Sequence, residues 1–197
     1  VMCGAGTVLN TGNVRPGDTV TIVGAGGVGS SAILGAKLAG AKQIIVADKD
    51  PRRLEFAKKI GATDIVQEGP DPALGSILEL SHGGTDFAFE TAGTLGAFET
   101  AYGAVRRGGT VVSVGLVSPE TPFSLDVASL VTSAKTVKGS YVGSCNPTVH
   151  IPKYVDLFQS GQFPVDQLIS HHLPLDDINT ALDRMADNEA VRQIITP

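Results

Sequence analysis

Three glycines, Gly24, Gly26 and Gly29, stand in the spacing G-x-G-x-x-G within "TVTIVGAGGVGSSAILGAK". A β-branched run, Thr19–Val23, leads into them, and a stretch with helical spacing leads out. At such a junction Gly24 permits a tight turn. Gly26, with Gly27 equally bare beside it, lets backbone approach a pyrophosphate, and Gly29 lets the helix pack close to the sheet. The amides and the dipole at the helix start then face the phosphates. The spacing alone is also compatible with a purely packing role. Asp48 adds weight to the ligand reading, because it lies nineteen residues beyond Gly29 at the end of a second apolar run, Ile44–Ala47. A carboxylate there accepts hydrogen bonds from adenosine ribose hydroxyls and repels a 2′-phosphate, which favours NAD over NADP. Its competing role is to cap the next helix, but Asp50, beside Pro51, suits that better. Lys49, Arg52 and Arg53 pull the other way: they are either a grip for a 2′-phosphate or a solvated helix start.

The elements that position these residues alternate. Strands are expected at Thr19–Val23, Ile44–Ala47, Ile65–Val66, "DFAFE" and "TVVSVG". Helices are expected over residues 27–39, from Pro51 through "RRLEFAKKI" to Gly61, over Ala73–Leu80 and from about Leu95 to Val105, with "RRGG" as a turn. Strands separated by helices of this length predict right-handed βαβ units: an α/β, doubly wound parallel Rossmann sheet with helices on both faces. After residue 120 the texture changes. "SPETPFSLD" is turn-rich, "TVKGSYVG" looks like one more strand, residues 149–160 and 176–186 look like helices, and "RQIIT" is a last strand. A boundary is placed near residue 142, giving a nucleotide-binding domain over 4–141 and a second portion over 142–197.

Composition narrows the function classes. The 197 residues are 42% hydrophobic and 18% charged, with a net charge of -5, so there is core material but no basic stripe for nucleic acid. Apolar runs stop well short of the ~20 residues of a membrane span. The start, "VMCGAGTVLN", lacks the basic region of a signal peptide. Cys3 and Cys145 form no CxxC, and a reducing cytoplasm is the expected setting. Residue 1 is Val, which suggests a piece of a longer protein.

The chain resembles the zinc-dependent, medium-chain alcohol dehydrogenases. The resemblance rests on "VRPGDTVTIVGAGGVG", "AGAKQIIVADKDPRRLEFAKKIGATD", "GGTDFAFETAG", "GGTVVSVG", "KGSYVG" and "LISHHLPLDDINTALDRMADNEAVRQII" in this order, and it is nearest the liver-type and glutathione-dependent formaldehyde dehydrogenase branch. It implies that Cys3 is one ligand of a catalytic zinc. It puts Thr7 against the nicotinamide, Val28 behind its ring, and Val114, Leu116 and Val142 in the wall facing its carboxamide. Thr91, Ala92 and Gly93 would line the cofactor cleft, Asp48 and Arg53 would hold the adenosine, and Arg192 would pair with the pyrophosphate. It further implies a homodimer or homotetramer joined through the edge of the sheet, within "GGTVVSVGLV" or the segment leading to "TVKGSYVG".

Departures from the family pattern matter as much. Two further zinc ligands and the proton relay come, in the family, from a GroES-like domain preceding this stretch, and the four-cysteine structural zinc lobe is missing too. His82, His150, His171 and His172 show no metal-ligand spacing with Cys3. The catalytic set is therefore expected to be incomplete here, and these residues alone to be inactive. In a complete enzyme the reaction would be hydride transfer between an alcohol or aldehyde and NAD, with zinc as Lewis acid; "GSYVGSCNP" leaves a thiol adduct of formaldehyde open as substrate. The alternatives are a stand-alone NAD-binding module and a zinc-free quinone reductase of the same superfamily. A short-chain reductase would need Tyr-x-x-x-Lys, and Tyr102, Tyr141 and Tyr154 are followed at that spacing by Arg106, Cys145 and Phe158.

Overall fold

The computed structural model describes residues 1–69, 73–187 and 190–197. Six parallel strands form one sheet: β1 Thr19–Val23, β2 Gln43–Asp48, β3 Asp64–Gln67, β4 Thr85–Glu90, β5 Val105–Ser113 and β6 Thr136–Gly139. Their order is β3-β2-β1-β4-β5-β6. The chain moves outward from β1 in one direction and then returns to continue from β4 in the other. The crevice between the carboxyl ends of β1 and β4 is thus the switch point where ligands bind in open α/β sheets.

The central strands β1, β2 and β4 are buried on both faces, as covered parallel sheets require. Along β2, Ile44 and Val46 belong to one core cluster and Ile45 and Ala47 to the other. The first cluster joins Val20, Ile22 and Phe89 to Ile33 and Leu34 of α2 (Gly27–Leu38) and to Leu54 and Ile60 of α3 (Pro51–Ile60). The second joins Val23 and Val111 to Ile77 of α4 (Ala73–Leu80) and Ala101 of α5 (Leu95–Ala104). Beyond the boundary placed near residue 142, Tyr154 of α7 (Pro147–Gln159), Phe163 and Leu168 share the first cluster with the sheet. A separate parallel pair, β7 His171–Pro174 and β8 Gln193–Thr196, follows, with α8 (Ile178–Ala186) between them. The "DNEAV" part of the tail motif includes residues 188 and 189, which lie outside the described residues.

Four segments depart from the sequence expectation. Residues 2–12 form a helix, α1, α-helical over Met2–Gly6 and π-helical over Thr7–Gly12. A side chain on Gly4 would overlap the Val28 carbonyl of α2, so close helix packing makes this glycine-rich stretch helical against its propensity. A short exposed helix, α6 (Val127–Ser133), follows the turn-rich segment, started by Asp126, whose carboxylate accepts from the Ala128 and Ser129 amides. "RRGG" is not a turn between helix and strand: β5 already pairs with β4 at Val105, and the register jumps before Thr110 meets Phe87. "TVKGSYVG" is a strand only as far as Gly139, because Val142, Gly143 and Ser144 all take positive φ.

At the amino ends of the strands, far from the crevice, Asp86 fastens β1, β4 and β5 together. Its carboxylate accepts from the Thr19 amide and hydroxyl, each at 2.7 Å, and from Arg106 Nε at 2.7 Å. Burial alone would raise its pKa; the Thr19 and Arg106 hydrogen bonds outweigh that and hold it below the usual carboxylate value. A carboxyl held low in the folded state stabilises the fold above its unfolded pKa of about 4, and this contribution disappears as pH falls through the lower folded value. Asp86→Ala is expected to cost about 1–3 kcal/mol at neutral pH, from the donors left unpaired, and less near pH 3. Urea denaturation of both proteins at the two pH values checks this, and an equal difference at both would refute the electrostatic part.

Candidate functional site

The glycine loop joins β1 to α2, and each of its glycines has its own surroundings. Gly24 has φ 100°, and a Cβ there would come 3.0 Å from Ala92. A Cβ on Gly29 would overlap the Gly24 carbonyl oxygen and lie 2.9 Å from Thr91 Oγ1. These two are fixed by the protein itself. Gly26 is different: its φ of -68° is open to any residue, and the nearest atom to a Cβ would be Arg53 Nη1 at 3.8 Å. Nothing within the described residues requires a glycine at this point. Gly26 is also the N-cap of α2 and brings no side chain to its first amides. The first turn of a helix is then left with donors suited to an anion. Beside it, Arg192 reaches over Gly27, its Nη2 3.4 Å from where a Cβ would stand.

Asp48 ends β2 against this loop and is buried. One carboxylate oxygen accepts from the Ala25 amide at 2.6 Å and the other from the Asp50 amide at 2.8 Å. Asp50, as expected, is the cap of α3, accepting from the Arg52 amide at 2.8 Å. Its hydrogen bonds with the Arg52 side chain hold its carboxyl below the usual value. Arg53 Nη1 lies 4.0 Å from Asp48. Gly24, Asp48, Lys49, Arg53, Ala92 and Thr94 line a cavity of about 330 Å³ at this end of the crevice.

The opposite end opens into a second cavity of about 500 Å³. Cys3, Val28, Val114, Leu116 and Val142 line it together with Ser140 and Tyr141. With Thr91, Ala92 and Gly93, eight of the sequence-selected residues thus converge on the crevice from α1, α2 and the ends of β4, β5 and β6. Thr91 donates to the Val23 and Gly24 carbonyls at 3.0 and 2.7 Å, joining the end of β4 to the glycine loop. Thr7 is buried and hydrogen-bonds Ser140 Oγ at 2.8 Å beneath the cavity rather than lining it.

One contributor was missed in the sequence. Glu90 ends β4, fully buried, and its carboxylate accepts from the Ala92 and Gly93 amides, from the Gly115 amide at 3.2 Å and from the Ser113 hydroxyl at 3.2 Å. It ties the loop after β4 to the loop after β5 and so fixes the floor of the crevice. The signal was present: "DFAFE", like "QIIVAD", is an apolar strand closed by an acid.

For a metal the fit is poor. Among the described residues no group of three or more His, Cys, Asp or Glu side chains stands together, and Cys3 has no companion ligand. For a dinucleotide the fit is good, because the bare backbone at Gly26, the uncapped start of α2 and Arg192 form a cradle that a Cβ would fill.

Sheet order, switch-point crevice and glycine loop define a Rossmann-type α/β fold. A family model described as zinc-binding dehydrogenase matches residues 27–160, and the chain belongs to that family. It is similar to the class-3 alcohol dehydrogenase of Myxine glutinosa, 37% identical over 198 residues, covering 99% of this chain and 52% of the relative. Among solved structures, benzyl alcohol dehydrogenase from Acinetobacter calcoaceticus superposes with a TM-score of 0.94 at 35% identity, covering 98% of this chain and 53% of that one. A zinc-binding-domain alcohol dehydrogenase from Burkholderia ambifaria gives 0.93 at 34% identity, covering 98% of this chain and 52% of its own. The chain spans about half the length of the relatives it matches. No helix among the described residues is long and apolar enough to cross a membrane.

Proposed function

We propose that this chain is the NAD-binding part of an oxidoreductase that moves a hydride between an alcohol or aldehyde and NAD. The observation that carries the reading is the open backbone at Gly26. It lies between the carboxylate of Asp48 and the guanidinium of Arg192, where a pyrophosphate flanked by an adenosine would sit. In this reading Asp48 and Arg53 take the adenosine ribose. Gly24, Gly26, Gly27, Gly29 and Arg192 take the pyrophosphate. Thr91, Ala92 and Gly93 line the middle of the crevice, and Val28, Val114, Leu116 and Val142, with Thr7 beneath, form the nicotinamide pocket. NAD, when bound, supplies the hydride chemistry; these residues orient it and keep water from the ring. Cys3 opens onto the nicotinamide cavity, which favours the zinc-type reading over a zinc-free quinone reductase, with the remaining ligands coming from outside these residues. A stand-alone NAD-binding module is the second reading, and it rests on the same cradle at Gly26. Both share a cytoplasmic setting and a small-molecule partner. Calorimetric titration with NADH tests the shared core: saturable binding at micromolar concentrations is expected, and none at millimolar NADH would refute both.

The edge strand bears on assembly. All four residues of β6 are exposed, Val137 among them, and Val127 and Val131 of the preceding α6 add exposed apolar surface. The loop carrying Pro119 and Pro122 turns inward instead, its Phe123 ring 4.7 Å from that of Phe98 on α5. A bare edge with apolar flanks pairs readily with a copy of itself across a two-fold axis. Sedimentation at micromolar concentration is expected to give twice the 20.3 kDa chain mass, and a clean 20.3 kDa species would overturn the dimer.

A further inference from the structure

Val142, Gly143 and Ser144 have φ of 51°, 68° and 52°, three left-handed residues in succession. For glycine this is ordinary. For a β-branched valine it is an outlier, held only where the surroundings over-determine it. The surroundings here come from α1: its α-helical start, at Met2, Cys3 and Gly6, packs on Gly143, and its π-helical turn supplies the side-chain hydrogen bonds. Thr11 Oγ1 hydrogen-bonds Ser144 Oγ at 2.8 Å on the far side of the turn and Ser140 Oγ at 2.8 Å on the near side. Asn10 Nδ2 donates to the Gly143 carbonyl at 3.2 Å between them. The widened turn also brings Thr7 to the same Ser140 oxygen at 2.8 Å. Short π-helical turns are frequently found at functional sites.

Neither Asn10 nor Thr11 lines the crevice, whereas Ser140 and Val142 do. We infer that Asn10 and Thr11 are positioning residues for the nicotinamide half of the cofactor: they clasp the left-handed turn so that the wall at Val142 is preformed before the ring arrives. The inference rests on the dinucleotide reading above. Its energetic logic is preorganisation, since a wall already held in its bound geometry need not be ordered at the moment of binding. The clasp should therefore govern the ring end of the ligand and leave the adenosine end, at Asp48 and the glycine loop, untouched.

The experiment compares NADH with ADP-ribose, which carries the adenosine and pyrophosphate but no nicotinamide, on wild type, Thr11→Val, Thr11→Ser and Asn10→Ala. Thr11→Val, which removes both hydrogen bonds of the hydroxyl, is expected to weaken NADH by about tenfold or more. ADP-ribose should stay within about twofold, and Thr11→Ser should restore NADH by keeping the hydroxyl. Should Thr11→Val melt out, Asn10→Ala carries the same expectation, because it removes only an exposed side chain. Unchanged NADH affinity in a folded variant, or NADH and ADP-ribose weakened together, overturns the inference. Wild type that binds ADP-ribose but gains nothing from the nicotinamide overturns it while leaving the adenosine end intact. Wild type that binds neither ligand instead refutes the dinucleotide reading itself.

Discussion

Gly26→Ala is expected to strip the chain of its dinucleotide while leaving the fold in place. The backbone at Gly26, with φ -68° and ψ -167°, is extended and open to alanine without strain. The added methyl would meet no protein atom closer than 3.8 Å. Stability should therefore change by no more than about 1 kcal/mol, since the stiffer unfolded chain offsets part of alanine's poorer fit at an N-cap. A pyrophosphate resting on that backbone would collide with the methyl. Overpacking of one methyl costs about 1–3 kcal/mol, or roughly a 10–100-fold loss of NADH affinity. Gly29→Ala is the converse control. Its methyl overlaps the Gly24 carbonyl whether or not a ligand is present, so the thermal midpoint falls first and binding follows only as a consequence. NADH titrations paired with melting curves separate the two. A Gly26→Ala protein that melts normally and binds NADH as wild type does would remove the ground on which the functional reading stands.

That contrast also shows what a sequence can and cannot disclose. The glycine spacing and Asp48 were legible because their chemistry is local: a turn, a helix start and a strand end at fixed distances along the chain. What sequence could not show is that two of the glycines are demanded by the protein and one is not, since this depends on Ala92, Thr91 and Arg53 arriving from elsewhere. The helix at residues 2–12 escaped for the same reason. "CGAGTVLNTG" has poor helix propensity, and close packing, of Gly4 and Ala5 on α2 and of Gly6 on Gly143, favours the helix. Glu90 ended a strand in plain view, but its four donors come from the loop after β4 and from the end of β5 and the loop beyond it. The strand expected over "TVKGSYVG" stops short of its end because residues 142–144 turn left-handed, in a turn bonded to Asn10 and Thr11, more than a hundred residues away. In each case the missing term was a long-range contact that overrides a local preference.

Asp48 is expected to make the chain prefer NADH to NADPH by about a hundredfold or more, since a 2′-phosphate placed against a carboxylate costs several kcal/mol. The preference is not a foregone result, because Lys49, Arg52 and Arg53 stand around the same cavity and a phosphate would find cations there. What tips the balance is burial. The Asp48 carboxylate is only 7% exposed, so water screens it little, while Arg52 stands largely in solvent and is already bonded to Asp50. Substitution at Asp48 has a second effect that the sequence alone does not suggest. The same carboxylate holds the Ala25 amide of the glycine loop and the Asp50 amide at the start of α3. Asp48→Gly therefore loosens the pyrophosphate cradle as well as removing the ribose acceptor, and NADH affinity should fall by more than a lost hydroxyl contact explains. NADPH suffers the looser cradle but gains relief from repulsion. The quantity to read is thus the ratio of the two dissociation constants, which should move toward NADPH by at least about tenfold. A ratio that stays fixed while both affinities fall would mean that Asp48 is a brace for the loop and that cofactor choice lies with the basic residues around it.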